Sequence, residues 1–182
     1  MTNDRMAHAY DWSRVFHAYG TATDTPEVLA GPLGDAKGHL WSAILHQGSV
    51  WPATPPVLRI VAARIAESPV LALSFVRDVA AAVRIGDEEA ERLRAEVAAA
   101  PTEEWTAAYA AADEETQVDL WDEADATGDL VLVKAGLDCL DLRPELRSRV
   151  REFLEHPDEE VAAVAREAWR ELSRAGRRWC QS

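Results

Sequence analysis

Residues His39–Val57 read HLWSAILHQGSVWPATPPV, and this stretch decides the fold. Leu40, Trp41, Ile44 and Leu45 recur at i, i+1, i+4 and i+5, the spacing of one helical face. Gly48 stands where a helix ends, because glycine takes a left-handed backbone at little cost. Thr54 is placed to cap the next helix, with Pro55 at its first position, where a missing N–H does no harm. Between them Trp51-Pro52 favours an extended link, since proline keeps the residue before it out of the helical region. The reading is helix, rigid corner, helix, with His46 and Gln47 expected to hydrogen-bond the corner.

On the N-terminal side, Trp12, Val15, Phe16 and Tyr19 are spaced i, i+3, i+4, i+7 and predict a short helix over 11–19, closed by Gly20. A second short helix follows Asp24 or Thr25, opens with Pro26 and is limited by Pro32. Asp35 then begins the helix that runs into the corner.

On the C-terminal side the pattern becomes regular. Val57, Leu58, Val61 and Ile65 form one stripe, and Leu73, Val76, Ala80 and Val83 form another after Ser68-Pro69. A short link between two such stripes makes an antiparallel helical hairpin. Helices over 87–99, from Pro101, and from Asp113 to Gly128 follow. Leu130-Val131-Leu132-Val133 has the composition of a buried strand, but Leu130, Val133, Leu137 and Leu140 keep helical spacing, so helix is expected. Arg143-Pro144 opens the last hairpin, His156-Pro157-Asp158 turns it, and Val161, Val164, Ala165, Ala168, Trp169 and Leu172 complete its second stripe.

The unit LRSRVREFLEHPDEEVAAVAREAWREL, closing the chain, resembles a HEAT repeat, in which the turn carries Pro-Asp or Asp-Pro and the inner helix reads V-x-x-x-A-x-x-A-L. Pro157-Asp158, Val161, Ala165 and Ala168 match, and Trp169 stands where leucine is usual. Residues 54–84 look like a second copy without the Asp-Pro turn. Residues 11–85 are also similar to a group of actinobacterial HEAT-repeat-like proteins, through YGTATDTP (19–26) and HQGSVWPAT (46–54). Residues 86–142 depart from both patterns and are equally TPR-like, through Trp121, Gly136 and Pro144. Helix start and stop signals give about eleven helices in one all-α domain over 1–182, with 1–10 and 177–182 expected loose, and the resemblance implies that they form a short α-solenoid of stacked antiparallel hairpins.

The net charge is −13, and the whole excess lies in residues 86–142, which hold seventeen acids against three bases. No base occurs between Arg94 and Lys134, whereas the segment holds Glu103, Glu104, Asp113, Glu114, Glu115, Asp119, Asp122, Glu123 and Asp125. With Trp105, Tyr109, Val118 and Trp121 packed inward, most of these acids face outward. Asp113 has a capping duty, and Glu103, Glu104, Glu114 and Glu115 sit beside positive helix N-termini. Asp119, Asp122, Glu123 and Asp125 have no such duty, so they are read as a surface for a cationic partner. Trp51, a tryptophan in a turn, is read with them as a contact residue.

The remaining classes are expected absences. There is no nucleophile elbow, phosphate loop or C-x-x-C, so no catalytic residue is assigned and the chain is read as not an enzyme. His39 and His46 share a face but lack the i, i+4 spacing of a helical zinc pair, so no metal and no cofactor are expected. The arginines of 143–178 are interspersed with acids, which argues for ion pairs over nucleic-acid binding. No apolar run is long enough for a membrane helix. With no export signal, Cys139 and Cys180 are expected reduced, in the cytoplasm. The expected function is protein–protein binding, with an immunity or inhibitor protein covering a basic toxin as the narrower form. The alternative is a small-molecule site or enzyme pocket near His46 and Trp51.

Overall fold

The computed structural model describes residues 7–123 and 127–174, apart from the side chains of Asp87 and Glu123. Among the described residues there are ten helices: α1 (Thr25–Ala30), α2 (Lys37–His39), α3 (Thr54–Ala63), α4 (Pro69–Ala82), α5 (Asp87–Ala99), α6 (Thr102–Ala111), α7 (Glu114–Glu123), α8 (Thr127–Asp141), α9 (Arg143–Arg151) and α10 (Glu159–Ser173). The described residues are all-α apart from one small antiparallel hairpin, β1 (Phe16–His17) with β2 (Gly20–Thr21), in which Phe16 faces Thr21 and His17 faces Gly20. No helix among the described residues is long and apolar enough to cross a membrane.

That hairpin replaces the helix expected over 11–19. Asp11 accepts a hydrogen bond from the Ser13 N–H and starts only one 3-10 turn, Trp12–Arg14. The backbone then finds distant partners: Ala18 N–H donates to the Ala43 carbonyl at 3.1 Å, and Ala53 N–H donates to the Phe16 carbonyl at 3.0 Å. Gly20 supplies a φ of +107°, open to glycine, just after the turn. Phe16 ends fully buried and Tyr19 is 66% exposed, so the two do not share a face. Residues 7–10 are not loose either: Ala7 is buried and its carbonyl accepts the Trp12 indole N–H at 2.5 Å.

The corner forms, with changed details. Its entering helix is three short pieces: a 3-10 turn Leu33–Ala36, then α2, then a π turn Leu40–Ile44. Gly48 is left-handed at φ +76°, as expected, and Gln47 joins it at +51°. Thr54 is not the cap; Ala53 takes that position. The Thr54 hydroxyl is fully buried, accepts the Trp51 N–H at 2.8 Å and donates to the Ile44 carbonyl at 2.6 Å. It staples the two sides of the corner together. The His46 carbonyl accepts the Ser49 N–H at 2.9 Å, while its side chain turns back, with Nδ1 2.8 Å from the Ser42 carbonyl.

Downstream starts follow the sequence closely. Asp113 accepts the Thr116 N–H at 2.9 Å, and Asp158 accepts those of Glu160 and Val161. Gly128 does not close a helix; it is buried in the first turn of α8. The missing Cβ matters instead at Gly136 of α8, where one would lie 3.1 Å from Ile85 Cδ1.

The α3–α4 and α9–α10 helix pairs pack on each other although α5–α8 lie between them in the chain. α10 packs most extensively on α4 and less on α9, the helix before it, while α9 packs on α3. Ala165 and Ala168 of α10 and Leu73 and Val76 of α4 are fully buried, and Arg77 of α4 reaches Glu167 of α10 at 2.8 Å. α8 runs through the middle against α3, α5 and α6. Arg64, after α3, is 2% exposed; it donates to the carbonyls of Leu29 and Gly31 and pairs with Glu67, tying the N-terminal layer to the first hairpin.

Candidate functional site

The small hairpin is pinned between the corner and α6, where the Thr21 hydroxyl donates to the Ala110 carbonyl at 2.5 Å. This sets Phe16 at the centre of an aromatic cluster. Its ring lies 4.3 Å from Tyr109, 6.2 Å from both Trp51 and Trp105, and 6.5 Å from Trp121. Trp105 and Tyr109 stack at 5.2 Å. Edge and stacked geometries of this kind add to the burial itself. Burial pushes the Tyr109 hydroxyl pKa above its ordinary value.

One side of the cluster is open. A cleft of about 660 Å³ runs between the hairpin turn and α7, with Trp51, Tyr109 and Trp121 in its wall and Glu114 and Asp122 beside them. Tyr19 and Val118, also lining it, are the two large hydrophobic residues left exposed among the described residues, Val118 at 57%. Val118 therefore does not pack inward as the sequence pattern predicted. The indole N–H of Trp51 is buried without an acceptor. His46 does not line the cleft; its Nδ1 meets the Tyr19 hydroxyl at 3.3 Å.

The structure thus brings Trp51 and Asp122 to one cleft, while Asp119 is exposed outside it. Glu123 keeps its place at the end of α7, but its side chain and the whole of Asp125 lie outside the described residues. Among the described residues no acid between Glu103 and Asp122 has an ion pair. Asp113 is held below the usual carboxylate range by hydrogen bonds from Thr116.

A second polar group was not legible in the sequence. His17, Asp24 and His39 bring ligand-type atoms within 4.8 Å of one another. His17 Nε2 lies 3.0 Å from Asp24 Oδ1, and His39 Nε2 lies 3.0 Å from the Thr25 hydroxyl. His17 Nδ1 accepts the backbone N–H of Tyr19, so the ring proton sits on Nε2 and is donated to Asp24. A metal-bound histidine instead donates its second N–H outward. The donor set thus suits a hydrogen-bonded His–Asp–His group better than a metal centre. Burial would raise the Asp24 pKa, but the hydrogen bond and charge of His17, with the charge of His39, bring it below the usual value. Burial lowers that of His39, against the pull of Asp24.

On the opposite hairpin a groove of about 630 Å³ is lined by Arg143, Arg147, Arg151 and Arg174 around Trp169. The Arg147 guanidinium lies 4.8 Å from the Trp169 ring centroid, and Arg174 pairs with Glu171. Cys139 is a buried free thiol, its pKa raised by that burial, while Cys180 and Trp179 lie outside the described residues.

No protein family, curated protein or solved structure matches this chain.

Proposed function

We propose that this chain is a protein-binding module of stacked HEAT-like helical hairpins whose acidic face on α6 and α7 docks a basic partner protein. One observation carries the reading: every ion pair of the described residues lies outside the stretch from Glu103 to Asp122, and the exposed acids within it have no cation. Elsewhere the same chain pairs many of its acids, Glu67, Asp78, Glu96 and Asp141 among them, whereas this stretch carries no base of its own to pair with. Like charges held together without counter-charge repel, and a cationic partner relieves that repulsion. An immunity or inhibitor protein that covers a basic toxin or nuclease is the form this reading takes most concretely.

The test uses a partner recovered from the source extract and the full chain. Asp119, Asp122, Glu123 and Asp125 are replaced together by Asn or Gln. Association should slow by about tenfold at low salt, and the wild-type rate should fall steeply between about 0.05 and 0.3 M salt. An unchanged on-rate for the neutralised protein would overturn the reading.

A further inference from the structure

The cleft beside α7 has a chemistry of its own, beyond the general charge of the surface around it. Tyr109 and Trp121 present aromatic surface, and aromatic faces attract cations through their quadrupole. Glu114 and Asp122 add full negative charge with no cation beside them among the described residues. An anion is repelled here, and a neutral apolar ligand leaves both carboxylates unanswered. The guanidinium group fits both features, because it is planar, weakly hydrated, stacks on aromatic rings and bonds carboxylates in pairs. Ammonium is more strongly hydrated and has no plane to stack.

Helix geometry fixes the spacing. Glu114 and Asp122 are eight positions apart on α7, which separates them by about 12 Å along the axis. One guanidinium cannot reach both. Two arginines at i and i+4 of an extended segment stand on the same side, about 13 Å apart. The residue between them at i+2 faces the same way, and midway along α7 stands Val118, exposed and apolar.

We infer that the cleft receives an extended segment of the partner protein with the pattern Arg-x-Φ-x-Arg, where Φ is apolar. One arginine pairs with Glu114, the other with Asp122 against Trp121, and Φ rests on Val118. This rests on the acidic-face reading and narrows it to a site.

The test titrates the full-length protein with labelled peptides. Ser-Arg-Ser-Leu-Ser-Arg-Ser is compared with a peptide of the same composition carrying adjacent arginines, and with forms in which citrulline or lysine replaces both arginines. Anisotropy gives the affinity. The spaced arginine peptide should bind about tenfold tighter than the citrulline form, and several-fold tighter than the adjacent-arginine and lysine forms, where tenfold corresponds to about 1.4 kcal/mol. Glu114→Gln with Asp122→Asn should remove about that tenfold, and Asp119→Asn, on the same acidic face but outside the cleft, should cost clearly less than the pair. These are surface positions, and an unchanged melting temperature checks that the variants fold. Equal binding of all basic peptides, with Asp119→Asn as harmful as the cleft pair, would overturn the cleft and leave the acidic face standing. No binding of any basic peptide at low salt would overturn both.

Discussion

The α9–α10 hairpin and the α6–α7 hairpin are both rich in charge, and they handle it in opposite ways. On α9 and α10, Arg149 pairs with Glu145, Arg166 with Glu159 and Arg174 with Glu171, while Arg147 covers Trp169. Many of the charges there are answered, Glu167 by Arg77 of α4, and the apolar stripe is spent on α4. On α6 and α7 the acids stand without partners and the aromatic cluster beneath them stays half open. The first region is built inward and the second outward. Composition already separates them, since acids and bases are interspersed in the first and the second carries no base.

The sharpest way to break this contrast is to remove α10. A chain ending at His156 uncovers α4, whose Leu73, Phe75, Val76 and Val79 are all buried. It should aggregate, or lose far more helicity by circular dichroism than the missing residues account for. A soluble truncation with a sharp melt would show that α10 is an appendage. Next in size is the aromatic hub. Phe16→Ala should destabilise by about 4 kcal/mol, the range for a large buried aromatic. Trp51→Ala, half buried at the cluster's edge, should cost about 2 kcal/mol by its smaller buried area. Chemical denaturation reads both, and equal values would place Trp51 at the hub instead.

Smaller is the effect of pH. His39 has its folded pKa below the ordinary value of 6.5, by burial and the charge of His17, opposed by Asp24, with the Thr25 hydroxyl on its other nitrogen. A depressed histidine means the unfolded chain binds more protons in the window below 6.5, so stability falls as pH drops through it. Asp24, also depressed, keeps its contribution until pH falls below about 3.8. The melting temperature should therefore drop between pH 7.5 and pH 5, and His39→Gln should flatten that drop. Smallest of all, changing Glu114, Glu115, Asp119 and Asp122 to their amides should leave stability within about 1 kcal/mol of wild type. Asp119 and Asp122, in the second half of α7, oppose its dipole, and any gain should come from them. A loss of several degrees would mean the acids serve the fold.

What was legible in the sequence follows the same division. Where apolar residues keep helical spacing over ten or more positions and a proline or aspartate marks the start, as at Pro69 and Asp158, the helices lie where expected. Trp12, Val15, Phe16 and Tyr19 have that spacing over only eight positions, and there the backbone bonds to Ala43 and Ala53 prevailed over the local pattern. The joint placement of Trp51 and Asp122 was not legible, because the hairpin that frames the cleft is held by contacts across the chain. The His17–Asp24–His39 group escaped for the same reason: it joins the hairpin, the turn before α1 and α2, which no spacing rule connects.

The stacking of the last hairpin on α3 and α4 also governs how the chain assembles in time. Arg77 and Glu167, which bridge α4 and α10, are 90 positions apart. At synthesis rates of about 5–20 residues per second, α4 leaves the ribosome on the order of ten seconds before its cover exists. Over that interval the face of α4 that α10 covers lacks its cover, while its contacts with α3 and Trp41 can already form. Folding of this half is therefore late and non-local, and its rate is governed by loop closure across α5–α8 more than by helix formation.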